Sequence, residues 1–218
     1  MNLPPDLQLK KLQVLSDAIA QSTGQKPISY RAGRYGFNES SVPVLEELGV
    51  KVDTSVVPFR QRKKTFEPDF GYLESIEPYR LNRRNVREAG NSPVLEVPVT
   101  VGFSKRVPRW LARHYIDLPN IGLRRFLKKI FDVDLYWLRP SYANLQQMIQ
   151  LSEALIGSGV TFLNMMFHSN ELMPGGSKYC KTQSDVDHYL KRLDDYFYYL
   201  KSHHDIQFVQ LREMDARY

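Results

Sequence analysis

The 218 residues, 42% of them hydrophobic, are enough to bury one sizeable core, and the length favours a single domain over residues 1–218. No apolar run approaches the roughly 20 residues needed to span a bilayer. The start, Met1 to Leu12, lacks the apolar stretch of a secretory signal, so a soluble, cytoplasmic protein is expected with no transmembrane segment. The lone cysteine, Cys180, excludes an internal disulfide and a thiol-based zinc motif.

The net charge of +6 gathers in Arg60 to Lys64, Arg80 to Arg87, and Arg124-Arg125 with Lys128-Lys129. Such clusters attract polyanions: nucleic acid, an anionic membrane surface or an acidic glycan. No nucleic-acid-binding signature accompanies them, so they read as a solvated basic face and no nucleic-acid partner is expected.

Along the chain, Leu9, Leu12, Leu15 and Ile19 recur at helical spacing, which predicts a helix over 5–22 capped by Gly24. Pro27 to Arg31 follows as a short strand, closed by the turn Ala32 to Gly36. Ser40 or Ser41 caps a helix carrying Val44, Leu45 and Leu48, which Gly49 stops; Val50 to Asp53 then reads as a second strand. Strand, helix and strand in succession make a βαβ unit and so a parallel sheet, which sets the class as α/β.

Residues 54–92 are charged and aromatic without a period, as in a long surface excursion. A β-branched strand is expected at Val94 to Val101, and one or two short helices between Trp110 and Phe131, broken near Pro119 and Gly122. Tyr142, Leu145, Met148, Ile149 and Leu155 form the stripe of another helix, ending at Gly157. Val160 to Phe167 is almost continuously apolar, the pattern of a central strand covered on both faces. Thr182 and Asp185 form a capping box for a helix carrying Val186, Tyr189, Leu190, Leu193, Tyr196, Phe197 and Leu200, and Ile206 to Leu211 closes the series as a strand.

Three expected strands end in a residue able to do chemistry: Arg31, Asp53 and His168. The carboxyl ends of parallel strands converge on one face, where active sites sit. There a histidine can move a proton, an arginine can orient a carboxylate, and an aspartate can hold either. The plainer alternatives are a hydrogen-bonded structural histidine, and an Arg31–Asp53 ion pair closing the sheet.

The run Ser29-Tyr30-Arg31-Ala32-Gly33-Arg34-Tyr35-Gly36 resembles the arginine motif of the NodB-homology polysaccharide deacetylases, carbohydrate esterase family 4, nearest the WalW-type branch found with surface-glycan genes. Leu45 to Ser55 continues the likeness, and Phe167-His168-Ser169-Asn170-Glu171-Leu172 is similar to the family's last motif. The resemblance implies an incomplete or distorted (β/α) barrel. It also implies a metal-dependent hydrolase that removes acetyl groups from a surface or cell-wall glycan. By the same resemblance His168 is the general acid, Arg31 tethers a catalytic aspartate, Asp53 orients His168 or its surroundings, and the main chain near Tyr35 lines an oxyanion pocket. Tyr35, Arg34 and Glu171 would contact the acetylated glycan. The turn here is one residue longer than the family's commoner form.

The family's divalent metal, usually zinc, is held by an aspartate pair and two histidines upstream of the arginine motif. Between Met1 and Tyr30 there is no histidine, and Asp6 and Asp17 fall at the edge of or within a helix. No metal ligand is therefore assigned in this chain, and a substitute site from His114, His188, His203 and His204 lacks the spacing zinc needs. The chain as written is expected to be an inactive, N-terminally shortened member. A sheet edge left open beside Ile28 to Arg31 would favour a homo-oligomer. Two rivals stand beside the hydrolase. One is a non-catalytic glycan-binding or assembly protein using Tyr35, Phe37, Tyr72 and Tyr79, and the other is a basic nucleic-acid binder using Arg60 to Lys64 and Arg124 to Lys129.

Overall fold

The computed structural model describes residues 3–60, 69–73, 75–118 and 122–218. The chain divides into two compact units, one of residues 1–99 with 209–218 and one of residues 100–208. The expected break at Pro119 and the basic run beyond Arg60 lie outside the described residues.

In the first unit, helix α1 (Pro5–Thr23) ends where Gly24 adopts φ 74° and its N–H returns to the Ala20 carbonyl. Leu9, Leu12 and Ile19 are half-buried, whereas Leu15 is exposed and Ser16 is buried in its place. Strand β1 (Ser29–Tyr30), helix α2 (Ser41–Glu47) and strand β2 (Val52–Asp53) form the expected parallel βαβ unit, with Ser29 opposite Val52 and Tyr30 opposite Asp53. Both strands are shorter than their apolar runs. Strand β3 (Tyr79–Arg80) rises from the excursion and pairs antiparallel with β4 (Leu95–Glu96), which itself runs parallel to β2. The sheet order is β1-β2-β4-β3, which leaves β1 on an edge.

The expected strand over Val94 to Val101 is split. The regular strand ends at Glu96; Val97 N and Val99 N still donate to Asp53 O at 2.8 Å and Val56 O at 3.1 Å, but Pro98 between them has no N–H, and strand pairing resumes in the second unit as β5 (Val101–Phe103). There β5 pairs antiparallel with β6 (Leu135–Trp137), a strand not expected from the sequence. Helices α3 (Arg109–His114) and α4 (Leu123–Phe131) account for the two short helices foreseen between Trp110 and Phe131.

Val160 to Phe167, expected as the central strand, is not a strand. Its main chain makes scattered bonds instead: Asn164 O accepts from Thr100 N at 3.1 Å, Met166 N donates to Leu138 O at 3.2 Å, and Asn164 N donates to the Thr100 hydroxyl at 2.7 Å. A side-chain oxygen thus takes a place that a ladder carbonyl would hold, and only Asn164 and Met166 are buried in the run. The closing strand at Ile206 to Leu211 is also absent. Gln210 and Glu213 cap a 3-10 turn over Leu211–Ala216 in its stead.

Helices α5 (Leu145–Ile156) and α6 (Gln183–His203) begin with full capping boxes, Asn144 with Gln147 and Thr182 with Asp185. They enclose the core of Leu138, Ala143, Met148, Leu151, Tyr196 and Leu200. The Tyr196 hydroxyl pairs with the Ser152 hydroxyl at 2.6 Å, and burial pushes its pKa up to about 12. Gly102 lets β5 lie against α5, because a Cβ there would stand 3.1 Å from Leu151 Cδ1. Among the described residues, no helix is long and apolar enough to cross a membrane.

This packing makes a graded prediction. Leu151 is fully buried, so Leu151→Ala should cost about 2–5 kcal/mol in urea unfolding. Leu190→Ala on the exposed side of α6 should stay within about 0.5 kcal/mol, and equal costs would contradict this core.

Candidate functional site

The carboxyl ends of the parallel strands β1, β2 and β4 lie side by side and carry Tyr30, Asp53 and Glu96 in one cross-strand row, which β3 extends with Tyr79. Asp53 and Glu96 are both fully buried. Asp53 accepts from Ser55 N at 3.1 Å and from the Ser55 hydroxyl at 2.7 Å, and Glu96 Oε1 accepts from Val56 N at 3.0 Å. Glu96 Oε2 is buried without a conventional donor. The adjacent ionisable group is Asp53, itself an acceptor when charged.

Two buried carboxylates side by side cannot both ionise cheaply. Burial first, and for Glu96 the Asp53 charge next, push both above the ordinary carboxylate range, Glu96 well above it. A proton on either carboxyl would supply the donor that Glu96 Oε2 lacks and remove one buried charge. The pair therefore titrates as a unit.

The rest of the rim hangs from β2. The Ser55 hydroxyl that donates to Asp53 accepts from Ala32 N at 2.8 Å. Arg31 Nε and a terminal guanidinium nitrogen donate to Thr54 O and Thr54 Oγ1, each at 3.2 Å. The expected alternative of an Arg31–Asp53 ion pair is replaced by this grip on Thr54. Arg31 is half-buried, and burial lowers its pKa against the opposing fields of Tyr35, Asp53 and Glu96.

Beyond Ala32 the turn holds two successive non-glycine residues in left-handed backbone, Arg34 at φ 55° and Tyr35 at φ 58°. Such strain persists only where its surroundings over-determine it, and it clusters at functional sites. Here Tyr35 N bonds Ala32 O at 2.9 Å, Tyr35 is 9% exposed, and the Arg60 guanidinium lies 5.2 Å from its ring centre. Arg34 is exposed. The result is a cationic rim of Arg31, Arg34 and Arg60 beside a buried acid pair, suited to oxygen-rich ligands. Phe37, offered above as a sugar-stacking aromatic, is 1% exposed and belongs to the core.

His168 and Glu171 lie in the second unit, apart in sequence and unit from Arg31 and Asp53. His168 is exposed and precedes a 3-10 turn over Ser169–Leu172. Glu171 is 1% exposed and accepts from Arg139, Ser141 and, at 3.0 Å, Tyr189. Burial pushes its pKa up, but bonds from Ser141, Arg139 and Tyr189 outweigh this and hold it below the ordinary range. Arg139 in turn stacks 4.2 Å from the Tyr142 ring centre.

No group of three or more His, Cys, Asp or Glu side chains among the described residues is arranged to hold a metal. His203 Nδ1 meets Tyr199 O at 2.8 Å and His204 meets Glu153 at 2.6 Å, so the adjacent histidines face different partners.

Sequence reasoning missed Glu96, although a glutamate inside the apolar run Val94 to Val101 was a readable signal of a buried, partnered acid. Arg139 and Arg60 carried no such mark.

No family profile and no curated protein matches the chain. Among solved structures it is similar to a Mycobacterium smegmatis protein provisionally assigned as a polysaccharide deacetylase, with TM-score 0.50 and 15% identity. The match covers 98% of this chain and 56% of that one. At this identity the likeness is one of fold, and it supports a mixed α/β architecture of the deacetylase kind; among the described residues no closed barrel is present.

Two predictions follow from the buried acids. A proton kept by the folded state and released on unfolding makes stability fall as pH rises above the ordinary glutamate value of 4.5, with a slope up to about 1.4 kcal/mol per pH unit for one proton. Glu96→Gln should flatten this fall in denaturation series from about pH 5 to about pH 9, and an unchanged slope would contradict the raised Glu96 pKa. Glu171→Ala should cost about 3–5 kcal/mol by stranding Arg139, and a loss below about 1 kcal/mol would contradict the buried pair.

Proposed function

We propose that the chain is a polysaccharide-deacetylase-like hydrolase domain acting on the acetyl groups of a surface or cell-wall glycan, of the WalW type. The observation that carries this reading is the locked carboxyl edge of β1, β2 and β4. There the arginine motif, a buried acid and a doubly strained turn meet in a fold like that of a deacetylase structure.

In this reading Arg31 and Arg34 present donors to acetyl and hydroxyl oxygens of the glycan. Asp53 acts through Ser55, fixing Ala32 and so the turn whose main chain, near Tyr35, faces the reacting carbonyl. His168 is the proton donor to the leaving group. Glu171 contacts the glycan by way of Arg139 and Tyr142. The family's zinc chemistry finds no ligand set among the described residues.

The cationic rim equally supports a second reading, a glycan-binding or assembly protein that uses the same turn without hydrolysis. One experiment separates them. The chain alone should bind N-acetylated oligosaccharides, with chelator leaving binding unchanged. When a segment bearing the deacetylase metal motifs is joined ahead of it, acetate should be released, and His168→Ala should slow release about 10²-fold to 10³-fold. Chelator-resistant binding with no acetate from either protein would establish the second reading, and loss of binding altogether would overturn both.

A further inference from the structure

Helix α4 has the sequence LRRFLKKIF and contains no buried residue. At about 100° per residue, Leu123, Phe126, Leu127, Ile130 and Phe131 fall within one arc of roughly 140°, and Arg124, Arg125, Lys128 and Lys129 fill the other side. The apolar face is open: Leu123 is 46% exposed, Phe126 52%, Ile130 58% and Phe131 54%. Phe126 and Phe131 pack edge to face at 5.9 Å, so the face is a continuous surface. A helix with four large apolar side chains in water is not explained by the packing of its own unit.

The charge around it selects the occupant. Residues 105–134 carry eight Lys and Arg against three aspartates. Asp132 and Asp134 meet Lys105 at 3.4 Å and Lys128 at 2.6 Å. Arg124 donates to the carbonyls of Tyr115 and Ile116, which anchors the start of the helix to its unit. Arg125 and Lys129 remain exposed on the polar side. Nearby in sequence, Trp110 is 69% exposed on α3, a helix that also carries Arg109 and Arg113. Apolar face, cationic flank, no acid within the helix and an exposed tryptophan are the features of a helix lying in a bilayer interface. Nucleic acid would use the cations and leave the phenylalanines in water.

We infer that α4 is an interfacial helix that docks the protein on an anionic lipid surface, with Leu123, Phe126, Ile130 and Phe131 entering the headgroup boundary and Arg125 and Lys129 meeting lipid phosphates. This docking is independent of the hydrolase reading. It would concentrate the protein at a membrane without spanning it.

The test is co-sedimentation of the full chain with phosphatidylcholine vesicles, with and without phosphatidylserine. Binding should require the anionic lipid and weaken with salt. Phe126→Ser with Ile130→Ser keeps every charge and removes only exposed side chains. It should lower partitioning at least about tenfold with the unfolding midpoint unchanged. Arg125→Glu with Lys129→Glu should lower it comparably. Equal binding by the serine variant would overturn the proposal in favour of charge-only adsorption. Absence of vesicle binding, with concentration-dependent dimers that the serine variant abolishes, would overturn it in favour of a contact between two copies.

Discussion

Two buried carboxyl groups on neighbouring parallel strands, Asp53 and Glu96, set the condition that the rest of the first unit meets. An ionised carboxylate in a dry interior costs several kcal/mol unless donors surround it, and two abreast cost more. The chain answers with main-chain N–H groups at Ser55 and Val56 and with the Ser55 hydroxyl. Each donor comes from the residues just past β2, so this stretch has little freedom left.

That lost freedom is what positions the rim. Ser55, fixed on Asp53, receives the Ala32 N–H, and Thr54 receives Arg31. The start of the 31–36 turn is thereby settled, and Arg34 and Tyr35 beyond it are kept in a backbone conformation that bulky residues avoid. Packing of strand ends thus becomes pre-organisation of donors at the surface, which is what binding or stabilising an acyl oxygen asks of a site. The second unit meets a buried acid differently: Ser141, Arg139 and Tyr189 hold the Glu171 pKa below the ordinary range, where burial and the Asp53 charge push that of Glu96 well above it.

What was legible in the sequence follows from which signals are local. The helix over Pro5–Thr23, the parallel pair around α2 and the capping box at Thr182 are written in residues within a few positions of one another, and they appear as read. The run Val160 to Phe167 was misleading because apolar content reports burial, while a ladder needs unbroken carbonyl partners, and Thr100 inserts its hydroxyl. Strands β3 and β6 were missed since their partners lie about 16 and 34 residues away, beyond any local period. Of the candidate site, Arg31 and Asp53 were visible at strand ends, but Glu96 depends on β4 lying beside β2, a fact of topology and not of spacing.

The most direct test of the central claim, that the edge of β1, β2 and β4 is where this protein meets its ligand, is an amide-resolved NMR titration with an N-acetylated oligosaccharide. The account predicts saturable shifts at Ala32 to Gly36 and Thr54 to Val56, with the Arg31 Nε–H moving in step. Shifts confined to other residues, with these amides unmoved at saturation, would contradict it.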